Sequence, residues 1–214
     1  SYISMSGTVT NGSAVAATGG QLATTAFGIV LFSDASTVTI SNSTVMMTAA
    51  AFFHASITAT ASEASASVAG IACYSVSVAA INVIHHSNIM ALSNAAHSSH
   101  IRAHASSYNS ATCGLALYSS YSYSSMVLAD DSTLTLTGLA EAGSSIVATA
   151  TYYNAAAIGL ALHVYRSTSV SSLLNISNST ALFTGHAADF STLEAGGISS
   201  TCVGASIAAG KSGT

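Results

Sequence analysis

An internal repeat of about 45 residues limits this chain to a short list of folds. Five segments share an opening: Gly28-Ile-Val-Leu-Phe32, Gly70-Ile-Ala-Cys-Tyr74, Gly114-Leu-Ala-Leu-Tyr118, Gly159-Leu-Ala-Leu-His163 and the weaker Gly197-Ile198, spaced 42, 44, 45 and 38 residues apart. A second landmark follows each of the first four and contains Ser43, Ser87, Ser132 and Ser179. A third lies thirteen residues before each of those four glycines, at Val15, Ile57, Ile101 and Ile146. Aligning the units produces columns. One step after the glycine stand Ile29, Ile71, Leu115 and Leu160, and three steps after it Leu31, Cys73, Leu117 and Leu162. Four steps after it stand Phe32, Tyr74, Tyr118 and His163. Two residues after the recurring serine come Val45, Ile89, Leu134 and Ala181, and two further on Met47, Ala91, Leu136 and Phe183.

Within a unit the local period is two. Val38 and Ile40, then Val45 and Met47, alternate with other residues, as do Leu134 and Leu136 with Thr133, Thr135 and Thr137. That is the pattern of short strands with one face in a core. Ser, Asn, Asp and Gly fill the intervals, and these residues turn a chain. The Ala-rich run 155–162 has a helical composition, but its columns elsewhere hold Ser, Thr and β-branched residues, which disfavour helix.

A repeat of this length with about four short strands fits a parallel β-solenoid, with one long or two ordinary coils per unit, or a β-propeller with one blade per unit. Like residues in like columns favour the solenoid, because each coil stacks on an equivalent slot of the next. The recurring corner places Asn42, His86, Asp131 and Asn178 between two apolar strands, where polar side chains can hydrogen-bond along the stack. The unit has no recurring Gly-His and Trp-Asp blade signals. The expected architecture is therefore all-β, a right-handed parallel β-solenoid forming one domain over 1–214. Its units run approximately 1–27, 28–69, 70–113, 114–158 and 159–196, with a partial 197–214. The expected core is the Ile/Leu/Val ladder backed by the aromatic column Phe32, Tyr74 and Tyr118.

Composition narrows the function. Of 214 residues only ten are charged, three basic and seven acidic, and Ser, Thr and Ala number 40, 23 and 41. A net charge of -4 with Arg102, Arg166 and Lys211 as the only basic residues makes no phosphate-binding surface, so no nucleic-acid partner is expected. No window of about 18 consecutive apolar residues exists, so no membrane span is expected. A basic segment followed by an apolar one does not open the chain, so no signal peptide is expected to remain in it. Its first residue, Ser1, suits a mature or excised segment. Cys73, Cys113 and Cys202 are odd in number and scattered, which reads as small buried hydrophobes rather than a disulfide framework or zinc site.

The corner motif and the Gly-Ile-x-Leu strand resemble the right-handed parallel β-helix of the pectin-lyase-like superfold. The Ser/Ala/Val-rich, lysine-poor character, over residues 26 to about 200, resembles the large surface β-helix proteins of trypanosomatids of the dispersed-gene-family type. It is similar, less closely, to bacterial autotransporter adhesin passengers. The resemblance implies an extracellular, surface or adhesive role and no catalytic residue set.

Chemistry candidates are few. Polysaccharide-cleaving β-helices need clustered carboxylates, but the only adjacent acids are Asp130 and Asp131, and Asp131 stands in the corner column. No enzyme activity and no cofactor are expected. His97, His100 and His104 have a spacing that suggests a zinc or copper site, against a reading in which they substitute for Ser, Thr and Asn on the surface; no metal is the expectation. Asn11, Asn42, Asn175 and Asn178 open Asn-x-Ser/Thr sequons and are candidate glycosylation sites, with Asn175 and Asn178 close enough to crowd. Neither end of the chain resembles a charged or helical cap, which leads to an expectation of further coils or of end-to-end or lateral self-association. The leading function is a non-enzymatic extracellular structural or adhesive solenoid, a filament subunit or a segment of a larger surface protein. The alternatives are an ice-binding solenoid and a carbohydrate-binding or carbohydrate-processing β-helix. Thr37-x-Thr39, Thr58-x-Thr60 and Thr133-x-Thr135-x-Thr137 suggest ice binding, although Thr58 and Thr60 align with Arg102 and His104.

Overall fold

The computed structural model describes residues 1–19, 23–33, 40–61, 65–75, 84–105, 110–119, 127–151, 154–165, 175–196 and 199–210. All regular structure among them is β. The first coil contains β1 (Tyr2–Thr10), β2 (Ala14–Gly19) and β3 (Ala23–Ser33). The second contains β4 (Ile40–Ser41), β5 (Thr44–Phe52), β6 (Ser56–Ala61) and β7 (Ser65–Ser75). The third contains β8 (Ile84–His85), β9 (Asn88–Ala96), β10 (His100–Ala105) and β11 (Ser110–Ser119). In the fourth are β12 (Val127–Asp130), β13 (Thr133–Ala140), β14 (Ser145–Ala150) and β15 (Asn154–Tyr165). The fifth contains β16 (Asn175–Ser177), β17 (Thr180–Ala187), β18 (Thr192–Gly196) and β19 (Ser199–Gly210).

Each strand pairs in parallel with its equivalent one coil away. The result is three five-stranded sheets, β1-β5-β9-β13-β17, β2-β6-β10-β14-β18 and β3-β7-β11-β15-β19, and a four-stranded sheet of the short strands β4-β8-β12-β16. One repeat is one coil, and the chain is a parallel β-solenoid. A propeller blade would pair strands inside one unit, whereas these ladders join successive units. The Ala-rich run 155–162 lies in β15.

The sequence columns are the pairing register. Ile29, Ile71, Leu115 and Leu160 align, as do Phe32, Tyr74, Tyr118 and His163. The side chains of Phe32, Tyr74 and Tyr118 lie outside the described residues. In the first sheet Val45, Ile89, Leu134 and Ala181 align, and Met47, Ala91, Leu136 and Phe183 after them. Alternation sends these residues inward, and Val45, Ile57, Ile89, Ile101, Leu136 and Ile146 are fully buried. One alignment needs correction. The fifth member of the glycine column is Gly204, which pairs with Gly159, and not Gly197. Pairing along 199–210 sets that register, and the 45-residue interval matches the earlier coils.

The glycine column has a steric cause. A Cβ on Gly28, Gly70, Gly114 or Gly159 would fall on the carbonyl oxygen of the column glycine in the following coil. Gly114 and Gly159 also have φ of 149° and 145°, which L side chains rarely adopt. Immediately before it, Phe27, Ala69, Cys113, Ile158 and Val203 align. Facing them across the core, Gly7, Ala49, Ser93, Gly138 and Gly185 align in the first sheet. Size is complementary between the two columns. A Cβ on Gly7 would enter the Phe27 ring, one on Gly138 would enter Ile158, and one on Gly185 would press on Val203. Large side chains on one sheet therefore fill the space left by glycine on the other.

Candidate functional site: two polar corners

The first corner joins each short strand to the first long sheet. Asn42, His86, Asp131 and Asn178 occupy equivalent positions there, with φ of 48°, 46°, 45° and 47°. This is the left-handed region, which Asn, Asp and His enter more readily than other non-glycine residues. The corner column is thus selected by backbone conformation as well as by side-chain polarity. All four residues are exposed. His86 Nδ1 lies 3.5 Å from Asp131 Oδ2, a contact that becomes an ion pair when the imidazole is protonated. Both groups are nearly half exposed, so such a pair contributes at most about 1 kcal/mol.

The recurring serine follows and turns its hydroxyl into the stack. Ser43 N–H donates to Ser87 Oγ at 3.1 Å, Ser87 N–H to Ser132 Oγ at 3.0 Å, and Ser132 N–H to Ser179 Oγ at 2.8 Å. The Ser1 ammonium donates to the Asn42 carbonyl at 2.9 Å. A shallow polar groove of about 410 Å³ runs along this corner, lined by Ser1, Asn42, Thr44, His86, Asp131 and Thr133 among others.

The second corner joins the first and second long sheets and is not marked by one residue type in the sequence. Two consecutive residues take positive φ in each coil: Asn11-Gly12, Phe53-His54, His97-Ser98, Ala142-Gly143 and Asp189-Phe190. The corners stack through backbone bonds. Gly12 N–H donates to the Phe53 carbonyl and His54 N–H to the His97 carbonyl, both at 2.9 Å. A second serine ladder follows: Ala55 N–H to Ser99 Oγ at 3.2 Å, Ser99 N–H to Ser144 Oγ and Ser144 N–H to Ser191 Oγ, both at 3.0 Å. Asn11-Gly12 and Ala142-Gly143 were the strong turn signals; Ser98 and Asp189 are weaker ones, and Phe53-His54 carries none. Phe53 stacks on His97 with centroids 4.5 Å apart and planes at 22°. Phe53 is half exposed, and Phe190 lies fully in solvent.

The candidate metal ligands do not converge. His97 is in the second corner, whereas His100 and His104 are on β10. A rise of four residue steps along the strand separates those two by about 13 Å, far beyond a shared ion. His100 Nδ1 instead meets Ser145 Oγ and His104 Nδ1 meets Thr149 Oγ1, both at 2.8 Å. His104 pairs between Thr60 and Thr149. Among the described residues no group of three His, Cys, Asp or Glu side chains is placed to hold a metal ion.

Of the sequon asparagines, Asn11 is exposed in the second corner, and Asn42 and Asn178 are exposed in the first. Asn175 is on β16, and its side chain lies outside the described residues. Thr37, Thr39, Arg166 and Lys211 also lie outside them. Thr133, Thr135 and Thr137 alternate with buried residues along β13 and so share the outer face of the first sheet. Thr44, Thr133 and Thr180 lie in one column of that face, and Thr48, Thr137 and Thr184 in another, with Asn88 and Leu92 interrupting them in the third coil. Between the columns is a mostly apolar groove of about 240 Å³ lined by Met46, Met90, Leu92 and Thr135, among others.

Cys113 is fully buried, and burial pushes its thiol up to about 12 despite the hydrogen bond that Sγ donates to the Thr137 carbonyl at 3.2 Å. Cys202 is exposed, and the side chain of Cys73 lies outside the described residues. No helix among the described residues is long and apolar enough to cross a membrane.

Stacked equivalent coils with hydroxyl ladders at both corners define a parallel β-solenoid repeat protein. The chain matches no protein-family model, no curated protein and no solved structure.

Proposed function

We propose that this chain is a non-enzymatic structural or adhesive solenoid of the cell exterior, acting as a filament subunit or as a segment of a larger surface protein. One observation carries this reading. The exposed large hydrophobic residues Tyr2, Ile3 and Val30 belong to the first coil, and Leu182, Phe190 and Val203 to the fifth; only Phe53 lies elsewhere among the described residues. Two of them stand where interior coils are buried: Ile3 aligns with Val45 and Ile89, and Val203 with Ile158, all wholly inaccessible. The two outer coils therefore offer apolar side chains and strand edges of the kind that interior coils use to bind each other. A coil from another copy, or from the same chain, satisfies both. Neutral outer columns and exposed sequon corners support a place outside the cell.

Sedimentation velocity and negative-stain microscopy of the purified 214-residue chain test the assembly. The expected outcome is rods that lengthen with concentration. Particles of constant monomer size, together with a parent chain that carries no further repeats, overturn the proposal.

The aligned threonine columns on the first sheet favour ice binding as a second reading. A thermal-hysteresis measurement decides it: hysteresis that disappears in Thr135→Lys supports that reading, and none in the unmodified chain removes it.

A further inference from the structure

We propose that Asn11 is an N-glycan acceptor whose first N-acetylglucosamine packs on the open face of Phe53 in the following coil. This rests on the reading of the chain as a protein of the cell exterior.

Phe53 is conspicuous on two counts. Its φ is +57°, a conformation that suits Gly or Asn and strains an aromatic residue by about 1 kcal/mol. It is also half exposed, so the strain is not offset by full burial. One face of the ring is taken by His97, stacked at 4.5 Å. These two residues occupy equivalent positions in successive coils, and Asn11 is the equivalent residue one coil earlier. Equivalent side chains in a parallel stack are parallel and about 4.8 Å apart. The second face of Phe53 is therefore turned toward Asn11.

Space is available there. Asn11, Gly12 and Ser13 form a sequon, and all three are exposed. A Cβ on Gly12 would meet nothing within 4 Å, and Gly12 N–H holds the corner to the Phe53 carbonyl. An asparagine side chain is shorter than a phenylalanine side chain, so the phenyl ring extends past the amide. A sugar attached to Nδ2 starts where that ring continues outward. The C–H face of a pyranose then covers phenyl surface that is otherwise wet. The other exposed sequon asparagines have no phenyl beside them: Asn42 stands next to His86, whose ring meets Asp131, and Asn178 next to Asp131.

The covalent step requires a lipid-diphosphate-linked oligosaccharide as co-substrate. Asn11 Nδ2 attacks the anomeric carbon of its first N-acetylglucosamine. A C–N bond forms, the C–O bond to the diphosphate breaks, the diphosphate leaves with that electron pair, and the Nδ2 proton passes to a base. No oxidation or reduction occurs.

The test uses the full chain with a secretion signal, in glycosylating eukaryotic cells, on a background of N42Q, N175Q and N178Q. Intact mass should show one glycan, lost in N11Q. Melting temperatures are then measured for four chains on that background: the background itself, N11Q, F53A and the double variant N11Q/F53A. The glycan should raise Tm by about 2–4 °C with Phe53 and by much less with F53A. The same four chains made unglycosylated in bacteria should show no such coupling. If F53A is not secreted, Phe53→Leu removes the π face while keeping apolar bulk. An unmodified Asn11 in a secreted chain overturns the proposal, as does an equal Tm gain in both contexts. Failure of the extracellular reading is separate: it appears as an intracellular location of the native protein, whatever the recombinant chain accepts.

Discussion

At residue scale, two adjacent residues of β11, Gly114 and Cys113, are tightly confined. Gly114 has φ of 149°, and any Cβ there would fall on the Gly159 carbonyl oxygen. Neither coil can move without breaking a continuous ladder, so Gly114→Ala is expected to cost more than about 4 kcal/mol, read as a lowered urea midpoint or failure to fold. Cys113 gives a pH signature. Its thiol titrates at about 12 in the folded chain against 9.0 as the ordinary value. Between those values the unfolded chain has lost the proton and the folded one has kept it, so stability is full below pH 9 and falls as pH rises toward 12. Urea midpoints of the unmodified chain should fall more steeply over that range than those of Cys113→Ala. The same burial predicts that a thiol reagent at about pH 8 modifies exposed Cys202 in the folded chain and reaches Cys113 only in denaturant.

At the scale of elements, the strands are held together by side chains as well as by backbone ladders. Ser144 is buried and its Oγ accepts the Ser99 N–H. Ser144→Ala leaves that amide without its partner, with an expected loss of about 1–3 kcal/mol in denaturant unfolding. Opposing sheets are coupled by size. Gly138→Ala should destabilise the chain because the new methyl enters Ile158, and Ile158→Ala should do so by leaving a void. The double variant should lose clearly less than the sum of the two, since each change relieves the other. Strictly additive losses in a double-mutant cycle would refute the interlock. The ladder serines of the first corner were legible as a repeated residue. The second corner was not, because its defining property is a pair of left-handed residues, and Phe53-His54, His97-Ser98 and Asp189-Phe190 share no side-chain chemistry.

At the scale of the whole molecule, low charge and stacking explain each other. Columns place equivalent side chains about 4.8 Å apart, and ladders of like charge at that distance repel. Ser, Thr, Ala and Asn avoid the repulsion while hydrating well. With ten charged residues in 214, and His86–Asp131 an exposed contact, screening has little to act on. The urea midpoint should therefore change very little between low and moderate sodium chloride concentration. A strong dependence would point to charge networks that the columns of described residues do not contain.

The repeat length, the strand alternation and the core columns were determined by the sequence alone. In a solenoid each coil meets only its neighbours, so one structural slot writes the same kind of residue at the same interval, as at Val15, Ile57, Ile101 and Ile146. Tertiary structure decided what the period could not carry. It showed that one repeat closes one coil and that Gly204, not Gly197, completes the glycine column. It separated His97, His100 and His104, because an extended strand spreads residues that are close in sequence. It also matched Gly138 to Ile158 and Phe53 to His97. These are contacts between sheets or between coils, and their partners are joined by packing rather than by any interval along the chain.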